Sequence, residues 1–353
     1  MRDDSDKVVL VRSIAIACRR ALMDIRRLGI ALGVACACAL VAAGASAAST
    51  SPGVCLAATG SNGWCGDGFP ATRAKLAVPR DIAPLPGGGF LIADSANHVI
   101  RRVDALGAIT TIAGTGTAGH PVYGRRASAS FLGTPTGVAP LPDGGYMIAD
   151  SALGEVLRVT ADGRLLAAAG QNVGFTNGDG GPASRARLRS PRDLAVLPGD
   201  GYAIADADDN RVRRVLPDGT IQTLAGTGVS GFSGDGGPAA AALLSQPTAL
   251  AVATDGALLV ADRGNGRIRR IGPDGTISTV AGGGAGPTPA LAAELVLPTG
   301  VAAMPDGGFL VAEAARIRRI EPDGTIATVG GTGKAPRSTA TSTARSRSEC
   351  DST

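Results

Sequence analysis

The sequence is poor in aromatic residues, which make up 3% of its 353 positions, and it contains two histidines. The shortage of aromatics means that a core must be filled mainly by Val, Ile, Leu and Ala. The shortage of histidines counts against a zinc site of the common kind. Stacking side chains for a nucleic acid are also scarce, and part of the net charge of +4 lies in terminal segments. We therefore expect no nucleic-acid partner.

Residues 1–47 have the pattern of an export signal. Two arginines precede an apolar run at 28–43, and small residues at 45–47 form a cleavage motif. We expect the mature chain to begin near Ala48, to be secreted or periplasmic, and to hold no membrane span. A start at Met23 would give a signal of ordinary length, and both the general and the twin-arginine export routes stay open. A retained membrane anchor is the alternative, which the short apolar run disfavours.

Removal of the signal leaves three cysteines, Cys55, Cys65 and Cys350. Cys55 and Cys65 flank a strand-like stretch and a Gly/Asn/Ser turn, so an oxidising compartment favours a local disulfide between them. Two free thiols are the alternative. Residues 333–353 form a polar tail that is too poor in apolar residues to fold.

A repeat of about 56 residues organises positions 66–332. Each of its five units follows a proline, and successive prolines are 56, 56, 56 and 51 residues apart. These prolines are Pro79, Pro135, Pro191, Pro247 and Pro298. The shorter last interval arises in the linker between strands, so the strands themselves keep their lengths.

Each unit predicts four short strands. The first follows the proline, and the second is a continuously apolar run such as FLIAD (90–94), typical of a strand that is buried on both faces. The third strand, such as RIRRI (267–271), carries apolar residues on opposite faces. An Asp-Gly pair such as Asp274-Gly275 is then expected to supply the positive φ angles of a tight hairpin before the fourth strand.

Repeated sheets of this kind predict an all-β fold, a β-propeller. One four-stranded sheet with two apolar faces is not stable alone, whereas equal sheets packed around a ring bury one another's faces. A closed ring also removes exposed sheet edges. Five blades are favoured. Residues 48–65 hold a sixth candidate fourth strand, VCLAATG (54–60), which either lies outside a five-bladed ring or belongs to an incomplete sixth blade.

The stretch IADSANHVIRRVDALGAITTIAGTG (92–116) resembles the NHL repeat, which is named for Asn-His-Leu. The linker at 231–252 is similar to the bacterial, teneurin-like branch of that family. The resemblance extends over residues 55–331 and implies an NHL-type propeller of five four-stranded repeats. Some units depart from the motif, since Asn210 is followed by Arg and Glu313 replaces the usual Asp. These departures put any repeated ligand site in doubt.

Seven residues are candidate binding residues at one rim of the ring. Five are acids that end the second strands, and two belong to the NHL-like segments. They are Asp94, Asp150, Asp206, Asp262, Glu313, His98 and Asn210. A ring of carboxylates could hold a cation, since calcium accepts several oxygen ligands. The favoured interpretation is structural, because Asp side chains often cap turns and one placed identically in every unit repeats a structural task. His98 is interpreted as a packing residue.

Two other patterns carry charge. Asp179 and Asp235 lie in glycine-rich linkers that look like calcium loops but lack the further carboxylates of such loops, so turn chemistry is favoured. Arginine pairs recur on the third strands, as at 269–270. Their stems are expected to cover apolar surface while their guanidinium groups reach water or a blade carboxylate.

These features favour an exported, non-catalytic binding scaffold whose rim loops meet a protein or glycan of the cell envelope or exterior. The alternative is a hydrolase or lyase similar to lactonases and strictosidine synthases, with one metal near the axis. No Ser-centred elbow, phosphate loop or dinucleotide fingerprint stands out in the sequence. We therefore expect no cofactor, and fold alone does not decide between the two functions.

Overall fold

A computed structural model describes residues 66–170, 178–199 and 201–333. These residues form five four-stranded antiparallel sheets, and most of the other regular structure is single turns of 3₁₀ helix. The sheets are the blades of a five-bladed β-propeller, so the fold predicted from the repeat is confirmed. The predicted export signal, the N-terminal strand and both candidate disulfide cysteines precede the described residues, and the tail beyond Gly333 follows them.

Twenty strands build the blades, four in each. Blade 1 comprises β1 (Pro79–Pro84), β2 (Phe90–Asp94), β3 (Val99–Val103) and β4 (Ile109–Ala113). Blade 2 comprises β5 (Pro135–Pro140), β6 (Tyr146–Asp150), β7 (Glu155–Val159) and β8 (Leu165–Ala169). Blade 3 comprises β9 (Pro191–Val196), β10 (Tyr202–Asp206), β11 (Arg211–Val215) and β12 (Ile221–Ala225). Blade 4 comprises β13 (Pro247–Val252), β14 (Leu258–Asp262), β15 (Arg267–Ile271) and β16 (Ile277–Gly282). Blade 5 comprises β17 (Gly300–Ala303), β18 (Phe309–Ala312), β19 (Arg316–Ile320) and β20 (Ile326–Gly331).

Short helices complete the fold. One four-residue α-helix, α1 (Pro289–Ala292), precedes blade 5. The 3₁₀ turns in the linkers are Ala71–Arg73, Ala127–Ala129, Ala183–Arg185 and Ala239–Ala241, and those between second and third strands are Ser95–Asn97, Ala207–Asp209 and Arg263–Asn265.

Strands within each blade pair in chain order, so every connection inside a blade is a hairpin. The second strand lies inside the sheet, with the first strand on one side and the third on the other. Its apolar residues face both neighbouring blades, which is why the run at 90–94 is buried almost throughout, as predicted.

The hairpin between the third and fourth strands differs in detail from the prediction. In blade 2 the amide of Gly163 donates to the carbonyl of Thr160 (2.8 Å), and Gly163 has a φ of 82°. Asp162 is not left-handed, so glycine alone supplies the positive φ. This is a three-residue loop, a turn followed by a left-handed glycine, and it needs one special residue instead of two.

The core lies between successive blades. Ile100 of blade 1 packs with Ile148 and Leu157 of blade 2 and with Leu132 of the linker that joins them, and all four are completely buried. Similar clusters join blades 2 and 3, blades 3 and 4, and blades 4 and 5. Burial of this kind contributes about 1.5–3 kcal/mol for each large aliphatic side chain. Each blade is therefore stabilised by its neighbours.

Linkers connect successive blades through backbone hydrogen bonds. The carbonyl of Ala127 accepts from the amide of Gly114 at the end of β4 (3.0 Å). The amide of Ala127 donates to Gly163 in the outer hairpin of blade 2 (2.8 Å). One linker residue thus joins the outer edges of two blades.

Candidate functional site

The row of acids at the ends of the second strands is buried. Asp94, Asp150, Asp206 and Asp262 have no exposed surface, and Glu313 has almost none. Each carboxylate accepts hydrogen bonds from backbone amides about 17 residues earlier in the chain. The donors are Ala77 to Asp94 (2.7 Å), Gly133 and Thr134 to Asp150 (2.6 and 2.7 Å), Arg189 and Ser190 to Asp206 (2.9 and 3.0 Å), Ser245 to Asp262 (2.7 Å) and Val296 to Glu313 (3.0 Å). Every acid therefore fastens the end of its linker to the blade.

Burial has an electrostatic cost at these positions. It raises the pKa of Asp94, Asp150 and Asp262 above the usual range, although hydrogen bonds oppose the shift. The pKa of Asp206 rises to about 6, chiefly because of burial and also because of the charge of Asp209. One oxygen of Asp206 is buried without a hydrogen-bond partner among the described residues, which agrees with a carboxyl group that is easily protonated.

His98 and Asn210 occupy equivalent positions, each the last residue before a third strand. Both have left-handed backbones, with φ of 57° and 50°, and Gly154 and Gly266 take this position in blades 2 and 4. His98 uses Nδ1 to bond the carbonyl of Gly133. Asn210 accepts from the amide of Gln246 through Oδ1 (3.0 Å). Both side chains thus contact the linker that leads to the next blade.

Three arginines of the third strands, Arg101, Arg213 and Arg269, are fully buried. Arg101 and Arg269 pair with linker aspartates, Asp67 at 2.6 Å and Asp235 at 2.7 Å, and Arg213 pairs in the same way with Asp179. As expected, guanidinium groups reach blade carboxylates, since Arg101 and Arg269 also lie 3.8 and 3.5 Å from Asp94 and Asp262, but these groups are buried together with their stems. The glycine-rich linkers that look like calcium loops are thus the partners of these arginines.

Sequence reasoning missed a polar cluster around the axis, where β1, β5, β9, β13 and β17 pack side by side. Asp81 accepts from the amide of Val138 in the next blade (2.8 Å), and Asp193 accepts from that of Leu250 (2.7 Å). Thr136 and Thr248 donate to carbonyls of the following blades, those of Pro191 (3.0 Å) and Pro298 (3.2 Å). The four successive blade pairs are thus joined alternately by Asp and Thr. The recurring Arg-Asp of the first strands in units 1 and 3 was the available signal.

The two axial aspartates influence each other. Burial raises the pKa of Asp81 to about 6. Burial, followed by the charge of Asp81, raises the pKa of Asp193 well above its usual value. Gly137 of blade 2 lies between them in the ring. A glycine is required there because a Cβ would come within 2.8 Å of the Cα of Asp193. The charge of one axial aspartate therefore affects the pKa of the other across a tightly packed axis.

A small cavity remains among these axial residues. Arg80, Asp81, Arg192, Asp193 and three threonines belong to its lining, and its volume is about 30 Å³. A space of that size holds a water molecule, not an organic substrate. Burial and the charge of Arg192 lower the pKa of Arg80. No group of three or more His, Cys, Asp or Glu suited to a metal occurs within the described ranges.

Exposed apolar side chains concentrate in the linkers. Of the twelve large exposed apolar residues in the described ranges, nine lie in linkers: Leu76, Val78, Val122, Tyr123, Phe131, Val229, Phe232, Val296 and Leu297. Leu76 faces the join between blades 5 and 1, at the position that Leu132 holds between blades 1 and 2, and we call the other eight residues the linker rim. Their loops approach the starts of the third strands, since Tyr123 donates to Glu155 (2.7 Å) and Arg267 stacks on Phe232 (3.7 Å). Tyr123 and Phe232 thus contact residues that begin third strands at the rim where the second strands end, and Val78 and Leu297 lie at the same rim because they come just before first strands, which start there.

The opposite rim differs. It is formed by the hairpins between first and second strands and between third and fourth strands. Leu106 lies in the hairpin between the third and fourth strands of blade 1, and its side chain is 95% exposed. Because most of the large apolar side chains exposed in the described ranges lie in linkers, the linker rim is the candidate interaction surface.

No helix in the described part of the chain reaches the length and hydropathy that a bilayer crossing requires. The predicted leader and both candidate disulfide cysteines lie outside that part. The seven residues predicted as binding residues are within it, and their side chains contact backbone groups of the fold. Their role as a binding site stays a prediction.

Comparison with known proteins identifies relatives of this chain. A sequence model of the "Teneurin NHL domain" matches residues 45–272. Mouse Teneurin-1 is 32% identical over 232 residues, and human Teneurin-4 is 34% identical over 233 residues. Each match takes in 59% of this chain and 8% of the relative, so the chain spans about a twelfth of the length of these proteins.

Solved structures share the fold at low sequence identity. An auxiliary nutrient binding protein from Bacteroides thetaiotaomicron VPI-5482 superposes with a TM-score of 0.51 at 15% identity, covering 72% of this chain and 60% of its own. Identity this low supports the propeller fold alone. Together with five blades of NHL-like strands, the match over residues 45–272 shows that the chain belongs to the teneurin NHL domain family.

Proposed function

We propose that this protein is an exported, non-catalytic binding scaffold that presents its linker rim to a protein partner of the cell envelope or exterior. The observation that carries the proposal is the uneven distribution of exposed apolar side chains, nine of twelve of which lie in linkers. Export is supported by the leader pattern at 1–47.

The chemistry of the rim fits a protein partner better than a glycan. Interface cores are enriched in aromatic and aliphatic side chains and depleted of charge. Val229 is 63% exposed and Val78 is 58% exposed. Tyr123 and Phe232 add exposed aromatic surface in the linkers of units 2 and 4. Arg267 and Arg269 lie against the ring of Phe232 at 3.7 and 4.9 Å, which holds this aromatic ring in place.

The axial alternative, a hydrolase or lyase with one metal, would use the row of acids. In the described residues these acids accept hydrogen bonds from the linker backbone, and the axial cavity has the volume of a water molecule. These observations favour the binding function.

The experiment compares capture of partners by the wild type with capture by two charged variants. Val229→Asp and Val122→Asp change the linker rim, and Leu106→Asp is the control on the opposite rim. A specific protein from the envelope fraction should be captured by the wild type and by Leu106→Asp but at least tenfold less by the rim variants. Equal capture by all of them would contradict the proposal, as would turnover of a substrate that depends on Asp206.

A further inference from the structure

The ring of blades has one join that is unlike the other four. The innermost strands pack consecutively from β1 to β17, whereas β17 and β1 make at most marginal contact within the described residues. The facing sides of blades 5 and 1 form two separate clusters, one with Ala302 and Ala312 and the other with Ile82 and Ile92. We call the space between these faces the seam.

A comparison of equivalent linker positions shows which apolar side chains at the seam are more exposed than in the other units. Three linker residues of units 2 to 4 are buried under the fourth strand of the preceding unit, as Ala127, Ser130 and Leu132 are in unit 2. The corresponding residues of unit 1 are Ala71, Ala74 and Leu76. Ala71 and Ala74 are partly exposed, and Leu76 is 37% exposed, whereas Leu132 and Leu244 are completely buried.

The other side of the seam shows the same deficit. Ile317 of β19 is partly exposed, whereas its equivalents Ile100, Val156, Val212 and Ile268 are completely buried. Val329 of β20 is 55% exposed. Among the described residues, both faces of the seam therefore lack an apolar neighbour at the distance from the axis where an outer strand would pack.

We propose that residues 54–60, VCLAATG, occupy the seam as an additional strand and cover Ala71, Ala74 and Leu76. The segment has the pattern of the fourth strands, such as AITTIAG (108–114), and like them it ends in a glycine, Gly60. By this alignment Thr59 matches Ala113, which lies in one cluster with Ala127. The amide of Gly60 then donates to the carbonyl of Ala71, as Gly114 does to Ala127, Gly170 to Ala183 and Gly226 to Ala239, each at 3.0 Å.

Chain length agrees with this placement. Gly60 and Ala71 are 11 positions apart, between the 13 positions of Gly114 and Ala127 and the 8 positions of Gly282 and Ala290. The linker that begins at Gly66 already follows the path of the other linkers, since Gly68 donates to Ile109 (2.8 Å) as Gly124 does to Leu165 (2.7 Å). The family match also begins at residue 45, so it includes the segment.

The first test measures the stability of the mature chain with single substitutions. If the segment covers Leu76, Leu76→Ala lowers the melting temperature by at least half as much as Leu132→Ala, the matched substitution at a fully buried position. A melting temperature that is unchanged by Leu76→Ala while Leu132→Ala lowers it would overturn the proposal.

The second test places the segment directly. In a background with Cys55, Cys65 and Cys350 replaced by Ser, the pair Thr59→Cys and Ala71→Cys should form an intramolecular disulfide. Ala113→Cys with Ala127→Cys is the positive control. The proposal fails if the control pair closes and the seam pair does not, or if the seam pair closes only between two molecules, which would make a second copy the occupant. If the serine background does not fold, the Leu76→Ala result decides.

Discussion

The buried arginines of the third strands are each paired with an aspartate of the linker that precedes their blade. Where the third strand carries a buried arginine, the preceding linker carries an aspartate, as Arg269 and Asp235 show. In blade 2 the strand has Leu157 instead, and Tyr123 stands at the linker position and donates to Glu155. Both partners change together, because a buried guanidinium group without a carboxylate would be costly.

Replacement of Asp235 by Ala tests this pairing. The change leaves the buried guanidinium of Arg269 without its nearest carboxylate, so we expect a loss of about 2–3 kcal/mol in the free energy of unfolding. Urea denaturation measures it. Asp274→Ala, in an exposed hairpin, is the control and should have a clearly smaller effect. Equal losses in the two variants would mean that the buried pair does not stabilise the fold.

Protonation of Asp206 gives a dependence of stability on pH. Its pKa is about 6 in the folded protein against 3.8 for the ordinary group. The folded state therefore binds the proton more tightly, and the stabilisation from this group is complete below about pH 4 and is lost as pH rises to 6. The size of the loss is about 3 kcal/mol.

Asp206→Asn removes this titration and can keep both amide hydrogen bonds through Oδ1. From pH 4 to pH 7 the wild type should therefore lose more free energy of unfolding than the variant does. Denaturant titrations at a series of pH values measure the difference between the two proteins. Parallel curves would show that Asp206 is ionised at its ordinary pKa in the folded state.

At the scale of the element, strand positions were predictable and side-chain partners were not. The runs at 90–94 and 267–271 are strands with the predicted bounds, because the local pattern of apolar residues already shows that both faces of these strands are buried. The partner of Arg101 is Asp67, 34 residues away, and that pairing depends on the path of a linker. The axial ties of Asp81 likewise depend on which strand of the next blade lies beside it.

The connection between second and third strands requires one left-handed residue. Gly266→Val places a β-branched residue at a φ of 61°, and its Cβ would come within 2.8 Å of the carbonyl oxygen of Leu295. We expect a loss of about 2–3 kcal/mol in the free energy of unfolding. Asn210→Gly is the control: it loses the hydrogen bond from the amide of Gln246 (3.0 Å) and the longer one to the carbonyl of Gly228 (3.4 Å), but it keeps a residue that favours positive φ, so it should cost only about 1 kcal/mol. A Gly266→Val variant as stable as the control would contradict the assigned backbone.

At the scale of the whole molecule, blades are stable because they bury one another. Composition and repeat length predicted the ring, and the packing of Ile100 against Ile148 confirms the physical reason. The exposed linker rim was not predictable, because its loops read as turns and their relative positions follow from closure of the ring.

Mutual burial implies that one blade cannot fold alone. A fragment of residues 234–282, which contains blade 4 and the later part of the linker before it, should show no cooperative thermal transition by circular dichroism. The mature chain should melt cooperatively under the same conditions. A fragment that melts cooperatively as a monomer would show that the faces of a blade need no neighbours.

The linker rim as a partner-binding surface is the central claim, and site-specific photocrosslinking in the cells that make the protein tests it most directly. A photoreactive amino acid at Val122 or Val229 should crosslink to one protein partner in high yield, whereas the same amino acid at Leu106, on the opposite rim, should not. Crosslinking to that partner from Leu106 alone, or no crosslink from either rim position while the protein is folded and exported, would contradict the claim.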